Sequence, residues 1–450
     1  MRRRNIQLSL LLGVLTLTGL SSCGVDRWPE YYPLTGRDLW IDSVMRQEYL
    51  WFESIPSSKK LNYFLEPKTF LKGILSPLDK NYSTVDTLYI TPPPSYGFDY
   101  TLERMQDNDT AYIALVSYVI PNSPAAESGL QRGEWIMMIN GDYLTRKNET
   151  LLTKGESREL LIGKYTTIEN EEGEKAGVIQ SNRTVTLPAS RPVEDDVIPA
   201  YNVYKNGNLS VGYLVYNNFN TESNSQLLQL SQFYKEHNVT DFILDLRYNA
   251  GGEMECVQLL ADILVPADKL GSPFASLKYN QKQEAKNREL TLNPQLLQGG
   301  SNLNLPKVYI LTGTATAAAS EMLINCLKPY MTVVLIGSTT KGETVATESF
   351  PNNKFLWILR TVVCEVFNSE YEADYAKGFA PDYAVNELSD RAKVLPLGDP
   401  NEALLNTALG IINGSTVLPE SKSETNMKRT EVKSVKVKRT FRNGLIVKKP

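Results

Sequence analysis

The chain of 450 residues holds a single histidine, His237. Zinc hydrolysis needs imidazole ligands at fixed spacing, and no His-Glu-x-x-His run is present, so that chemistry is excluded. His237 itself falls in "FYKEHNVTDF", at the end of a predicted helix, where a partial cation stabilises the negative helix end. Cysteine is nearly as scarce. Cys256, Cys326 and Cys364 are far apart, odd in number and without metal-ligand spacing, and they read as buried free thiols. There is no Gly-x-Ser-x-Gly turn, which removes an esterase of the α/β-hydrolase type. There is no Walker loop either, and neither a cofactor nor a metal is implied. The apolar run Leu8 to Leu20 is too short to cross a bilayer comfortably. A basic face is also missing. Net charge is −4, and residues 421–450 alone carry ten basic and two acidic side chains, so the remainder is acidic and shows no nucleic-acid footprint.

What is present begins with Arg2, Arg3 and Arg4, then the apolar run, then Leu20-Ser21-Ser22-Cys23. This order is that of a targeting segment. Leu, two small residues and Cys resembles the bacterial lipobox. That resemblance implies cleavage before Cys23, lipidation of its thiol, and an exported bacterial lipoprotein on the periplasmic or cell-surface side, tethered to a membrane but not spanning it. An ordinary signal peptide with a chance cysteine is the alternative. Residues 1–22 are thus expected to be a signal peptide and 23–90 a helical segment. Leu39, Val44, Leu50 and Trp51 recur at roughly helical intervals, and "KTFLKGILSPLDKNYS" predicts a second short helix broken near Pro77.

A Pro-rich joint, "TPPPSYGF", introduces a β-rich stretch expected over 91–193. "AYIALVSYVI" reads as a strand. Pro124-Ala125-Ala126 can open a short helix, Gly129 can end it, Gly133 makes a turn, and "EWIMMING" is a strand running into an Asn140-Gly141 turn. The order resembles a PDZ domain, which binds an extended peptide at a sheet edge and holds its terminal carboxylate on backbone amides. Tyr96, Gly97 and Phe98 would form that peptide-binding loop. A β-rich domain without a ligand is the alternative.

Residues 194–412 alternate strands with helices and predict an α/β layered domain, whose ligands bind where strand ends meet helix starts. "VTDFILDLRYNAGG" is a buried strand ending in a glycine turn, and "KVYILTGTATAAASEMLINCLK" reads strand, loop, helix. Ser320, at that helix start, is either a helix cap or a nucleophile. Three neighbours favour the nucleophile. Ala317, Ala318 and Ala319 leave room for a substrate, the helix start offers unpaired amides, and Gly251-Gly252 lets a backbone approach closely.

"ILDLRYNAGG", then "TATAAASE" about seventy residues later, then "VVLIGSTTKGETV", with "GYLVYNNF" and "KGFAPDYAV", resembles the C-terminal processing (tail-specific) serine peptidases, in a lipoprotein form similar to Bacteroides-type members. The resemblance covers nearly all of the chain after Cys23, up to about residue 412. It implies an α+β multidomain protein: a helical N-terminal segment, a PDZ-like domain and a crotonase-like α/β catalytic domain. It implies a peptide or protein substrate presented by its C-terminus, Ser320 as nucleophile, an oxyanion hole of Gly251, Gly252 and the Glu321 amide, and a lysine as base.

The loop after "IG" departs from that pattern. Lys341 stands where an aromatic residue is expected, and Glu343 stands where the lysine is expected. If 341–343 is extended, both side chains point to one face, and Glu343 holds Lys341 protonated. Lys341 serves as base if the loop turns Glu343 away, and Glu343 serves only if burial raises its pKa. Without either, the chain is a weakly active or inactive relative that binds peptides. Finally, residues 413–450 form a basic tail. "VKVKRTFRNGLIVKK" reads as a solvated hairpin around Asn443-Gly444, or as coil.

Overall fold

The computed structural model describes residues 28–88, 93–105, 110–169, 173, 175–207, 209–415, 431–435 and 444–447. Cys23 and the signal segment lie outside the described residues. The chain opens with α1 (Trp28–Glu48) and α2 (Pro67–Ile74). Glu66 caps α2 by accepting from the Lys68 and Thr69 amides, and the apolar side of α2 buries Phe70, Leu71 and Ile74. The break near Pro77 is a 3-10 turn over Pro77–Asp79, followed by β1 (Thr84–Thr87).

The β-rich part contains β2 (Phe98–Arg104), β3 (Tyr112–Val119), the one-turn α3 (Pro124–Glu127), β4 (Trp135–Ile139), β5 (Asp142–Tyr143), β6 (Arg158–Glu169) and β7 (Lys175–Leu187). Ser123 caps α3 through the Ala126 amide, and Asn140 and Gly141 both take positive φ in the turn after β4, as a two-residue hairpin loop requires. Inward residues of alternating register, among them Phe98, Tyr100, Ala114, Val116, Leu160 and Ile162, form one core.

The α/β part runs β8 (Tyr201–Asn206), β9 (Leu209–Val215), α4 (Asn224–Glu236), β10 (Asp241–Asp245), β11 (Gly251–Glu253), α5 (Met254–Leu264), β12 (Pro273–Tyr279), β13 (Arg288–Thr291), β14 (Lys307–Thr312), α6 (Ala319–Leu327), β15 (Thr332–Gly337), β16 (Val345–Asn352), β17 (Trp357–Asn368), β18 (Tyr383–Ala384) and α7 (Ala403–Ile412). One sheet has the order β18-β15-β14-β10-β9-β8, parallel from β18 to β9. Alternation sorts its two faces: Val211, Tyr213 and Val215 pack on α7, while Leu214, Phe242 and Leu244 face the cluster that holds α4, α5 and α6. The expected mixture of a helical start, a β-rich part and an α/β layered part is therefore present.

The basic tail departs from the hairpin reading. Its two strands, β19 (Glu431–Val435) and β20 (Gly444–Ile446), do not pair with each other. β19 lies antiparallel on β2, which gives the β-rich sheet the order β19-β2-β3-β4-β6-β7. β20 lies parallel between β11 and β16, in a sheet of order β11-β20-β16-β17-β12-β13, with β1 on β17. The cause is burial. Leu445, Ile446 and Val447 are all buried, as a strand covered on both faces requires.

His237 caps the end of α4, where its Nδ1 lies 2.8 Å from the Phe233 carbonyl. Cys256, Cys326 and Cys364 are free and buried. Asp262, on α5, is fully buried as well, and burial pushes its carboxyl up to about 8. The folded state then holds a proton that the unfolded state releases near pH 4. Stability from this group is complete below that pH and is lost as pH rises toward 8. Asp262→Asn is expected to remove this loss, with the variant gaining up to about 5 kcal/mol on the wild type between pH 4 and pH 8. Urea titrations at the two pH values check it; equal differences at both would contradict it.

Candidate active site

β10 and β14 are adjacent parallel strands, and the segments leaving their C-terminal ends build the site. After β10 the chain passes Arg247 and Asn249 to reach Gly251 and Gly252, whose φ values of 128° and 135° are open only to glycine. A Cβ on Gly251 would stand 2.3 Å from the Gly444 carbonyl oxygen, and one on Gly252 would stand 2.2 Å from the Phe219 carbonyl oxygen. Both glycines are thus required by the close passage of two other backbones. The Gly251 amide donates to Asn249 Oδ1 at 2.9 Å, so in this state it is engaged internally.

After β14 a turn leads into α6. Ala318, the residue before the helix, has φ 53° and ψ −104°. That is a strained conformation for a residue with a Cβ, and such strain concentrates at functional sites. Glu321 reaches back to the Ala318 amide at 2.9 Å, the reciprocal half of a capping box. The same carboxylate accepts from the Gly342 amide at 2.6 Å, the Glu343 amide at 2.8 Å and Thr340 Oγ1 at 2.5 Å. Glu321 is fully buried, and burial raises its pKa in spite of these four donors. It ties the 340–343 loop to the mouth of α6. The Glu321 amide belongs to the first turn, where helix amides lack an intrahelical partner.

Ser320 occupies the second position of α6, fully buried, with its hydroxyl donating to the Asn249 carbonyl at 3.3 Å. Lys341 and Glu343 meet across Gly342, whose φ of 87° is left-handed, so 341–343 turns instead of running extended as the sequence reading supposed. Lys341 Nζ lies 3.3 Å from Glu343 Oε2 and 5.5 Å above the Tyr82 ring. The lysine is half exposed and the glutamate is buried. Burial raises the Glu343 carboxyl while Lys341 opposes the rise. Glu343 also faces the tail: a Cβ on Gly444 would stand 3.1 Å from its Oε1.

The structure therefore joins Lys341 to Glu343, Glu321 to the loop that carries them, and Gly251 to the tail. It does not hydrogen-bond Ser320 to either candidate base. Tyr96, Gly97 and Phe98 lie in the β-rich part. Tyr96 and Phe98 are core residues, the Tyr96 amide donates to the Thr153 carbonyl, and the Gly97 amide donates to Ser95 Oγ. Those two amides are already bonded within the domain. Among the described residues no group of three or more His, Cys, Asp or Glu is placed to hold a metal ion, and no helix is long and apolar enough to cross a membrane.

The room expected around Ala317, Ala318 and Ala319 is filled, since all three are fully buried, and sequence reasoning missed the strain at Ala318, because alanine carries no signal for positive φ. It also missed an ionic cluster under the site. Arg247, fully buried, bonds Asp245, Glu402 and Glu387, while Arg132 from the β-rich part bonds Glu387 and Tyr248.

Residues 210–385 match peptidase family S41, and residues 38–84 match the peptidase S41 N-terminal domain. The crystal structure of a Bacteroides fragilis protein described as an S41 protease is 48% identical, with a TM-score of 0.79, covering 83% of this chain and 97% of that one. The chain belongs to peptidase family S41. S41 relatives include the carboxy-terminal processing protease CtpA of Bacillus subtilis, 26% identical over 336 residues, which are 72% of this chain and 64% of that protein. The chloroplastic carboxyl-terminal-processing peptidase 3 of Arabidopsis thaliana is 26% identical over 281 residues, 61% of this chain and 50% of that protein. The chain spans between half and two thirds of the length of these two relatives. The relatives named as serine proteases include a CtpA-like protein of Staphylococcus epidermidis, 24% identical over 276 residues, 60% of this chain and 50% of that protein.

Proposed function

We propose that this chain is a serine endopeptidase of the C-terminal processing kind, which takes an extended peptide as an added strand beside Gly251-Gly252. The observation that carries the reading is the slot itself: an extended segment lies there now, paired with Gly251–Glu253 and in contact with α6. Ser320 is the nucleophile in this reading, with the Glu321 and Gly252 amides for the oxyanion. Lys341 takes the proton in this reading, as a neutral amine that has left Glu343. The PDZ-like sheet presents the substrate C-terminus, and Cys23 carries a lipid that tethers the enzyme on the outer side of a membrane.

A second reading rests on Ala318. The strained strand-to-helix turn, where a nucleophile would be displayed, carries only a methyl group. Ser320, two residues on, turns its hydroxyl to Asn249. On that reading the chain binds peptides without cutting them.

One experiment separates the two. The full chain is treated with a fluorophosphonate probe at pH 7 and pH 9, as wild type and as Ser320→Ala. Labelling of the wild type at least tenfold above the variant is expected for the peptidase. Equal labelling, or none at either pH, contradicts it and leaves peptide binding.

A further inference from the structure

We infer that residues 431–435 and 444–447 are a built-in peptide ligand, and that the slot between β11 and β16 accepts the same kind of peptide from outside: an extended segment of glycine followed by aliphatic residues. The inference deepens the peptide-handling reading above and rests on it.

Three observations carry it. First, β20 alone joins β11 to β16 among the described strands. Without it, the two would face each other across a gap one strand wide, with spacings of about 4.8 Å on either side. Second, β20 is held as a strand-adding peptide is held, by main-chain bonds with side chains in pockets. Gly444 N donates to Ala250 O at 3.0 Å, Val447 N donates to Thr347 O at 2.9 Å, and Thr347 Oγ1 donates to Leu445 O at 3.0 Å. Leu445, Ile446 and Val447 are buried. Third, the same tail reaches the other peptide-type edge: β19 adds antiparallel to β2, with Val435 opposite Tyr100, in the strand that follows the Tyr96–Phe98 loop. One segment thus fills two edges in two sheets, and it is strongly basic in an otherwise acidic chain.

Selectivity follows from the contacts. Gly444 has φ +89°, and a Cβ there would press on Glu343 Oε1. Glycine is therefore the residue of choice at that point, and Glu343 is a specificity-determining residue for it. Leu445 and Val447 after it join the main apolar core, and Ile446 is buried.

The test inserts a cleavage site for a sequence-specific endopeptidase between Lys438 and Arg439, outside the described residues, in the full chain. The chain folds before it is cut. A labelled synthetic peptide, TFRNGLIVKKP, is then added to cut and uncut protein, and anisotropy is read. A tether raises the local concentration of its own segment, so the cut protein is expected to bind the peptide on the order of a hundredfold more tightly than the uncut protein and to release its resident fragment. The peptide TFRNVLIVKKP is expected to bind at least tenfold more weakly. A cut protein that keeps its fragment without exchange, that unfolds, or that binds both peptides alike overturns the inference. The measurement is repeated in Ser320→Ala. Exchange there, with no fluorophosphonate labelling of the wild type, would retain the resident ligand and reject the peptidase.

Discussion

Replacing Arg247 with Met is expected to cost the folded state about 3–5 kcal/mol, the range for breaking a buried ion pair from one side. Its guanidinium is fully buried. It donates to Asp245 Oδ1 at 3.0 Å and forks onto Glu402 at 2.6 and 3.0 Å, with a further bond to Glu387 at 3.1 Å. Asp245 and Glu402 are buried, and removal of the Arg247 guanidinium leaves Glu402 with Arg132 at 3.4 Å and Asp245 with neutral donors alone, the Tyr213 hydroxyl at 3.0 Å among them. Glu402 also caps α7 by accepting from the Leu404 and Leu405 amides, so its reorientation would loosen that helix. Desolvation of Glu402 is outweighed by the two arginines, and its carboxyl lies below the usual range. With Arg247 gone that balance reverses, and the variant should recover part of its deficit in acid as the carboxylates protonate. Urea denaturation at pH 7 and pH 5 measures both effects; a cost under about 1 kcal/mol at pH 7 would contradict the role given to Arg247.

The same cluster shows where reading the sequence stops. "DLRYNAGG" disclosed a buried strand and a glycine turn because both signals are local: apolar residues in a row, then two residues without Cβ. Lys341 and Glu343 do meet, as the two-residue spacing suggested, but through a left-handed turn at Gly342 and not through an extended segment. Asp245 and Arg247 were read only as part of a motif, since their partners Glu387 and Glu402 come from more than a hundred residues away. Arg132 comes from the other part of the chain. The tail failed for a related reason. Asn443-Gly444 between two strand-like runs predicts a hairpin by local rules, but the pairing partners β2, β11 and β16 are distant and win through burial of Leu445, Ile446 and Val447. The strain at Ala318 was invisible because the fold, and not the residue type, imposes it.

Glu321→Gln is expected to destabilise the site by about 3 kcal/mol and to free the 340–343 loop. Oε1 of Glu321 accepts from Thr340 Oγ1 and the Gly342 amide, and Oε2 accepts from the Ala318 and Glu343 amides. Every neighbour is a donor, so only a group that accepts on both sides fits. Glutamine offers one oxygen and one NH2. If the NH2 replaces Oε2, two buried amides face a donor; if it replaces Oε1, Thr340 can rotate its hydroxyl to accept, but the Gly342 amide cannot. The second arrangement is the cheaper one, and it leaves one unsatisfied amide plus the loss of charge assistance at the others, at roughly 1–3 kcal/mol for each buried group left unpaired. The amides that lose protection should be Gly342 and then Glu343, while the α5 amides keep theirs. Hydrogen exchange resolves this by residue. Unchanged protection at Gly342, together with a cost under about 0.5 kcal/mol in urea, would mean that the loop is held by contacts other than this carboxylate. Lys341 rides on the same loop, its own amide bonded to the Thr316 carbonyl at 3.0 Å. Slackening of the loop would therefore also loosen the Lys341–Glu343 pair, releasing the proposed base and weakening the preference for glycine in the slot.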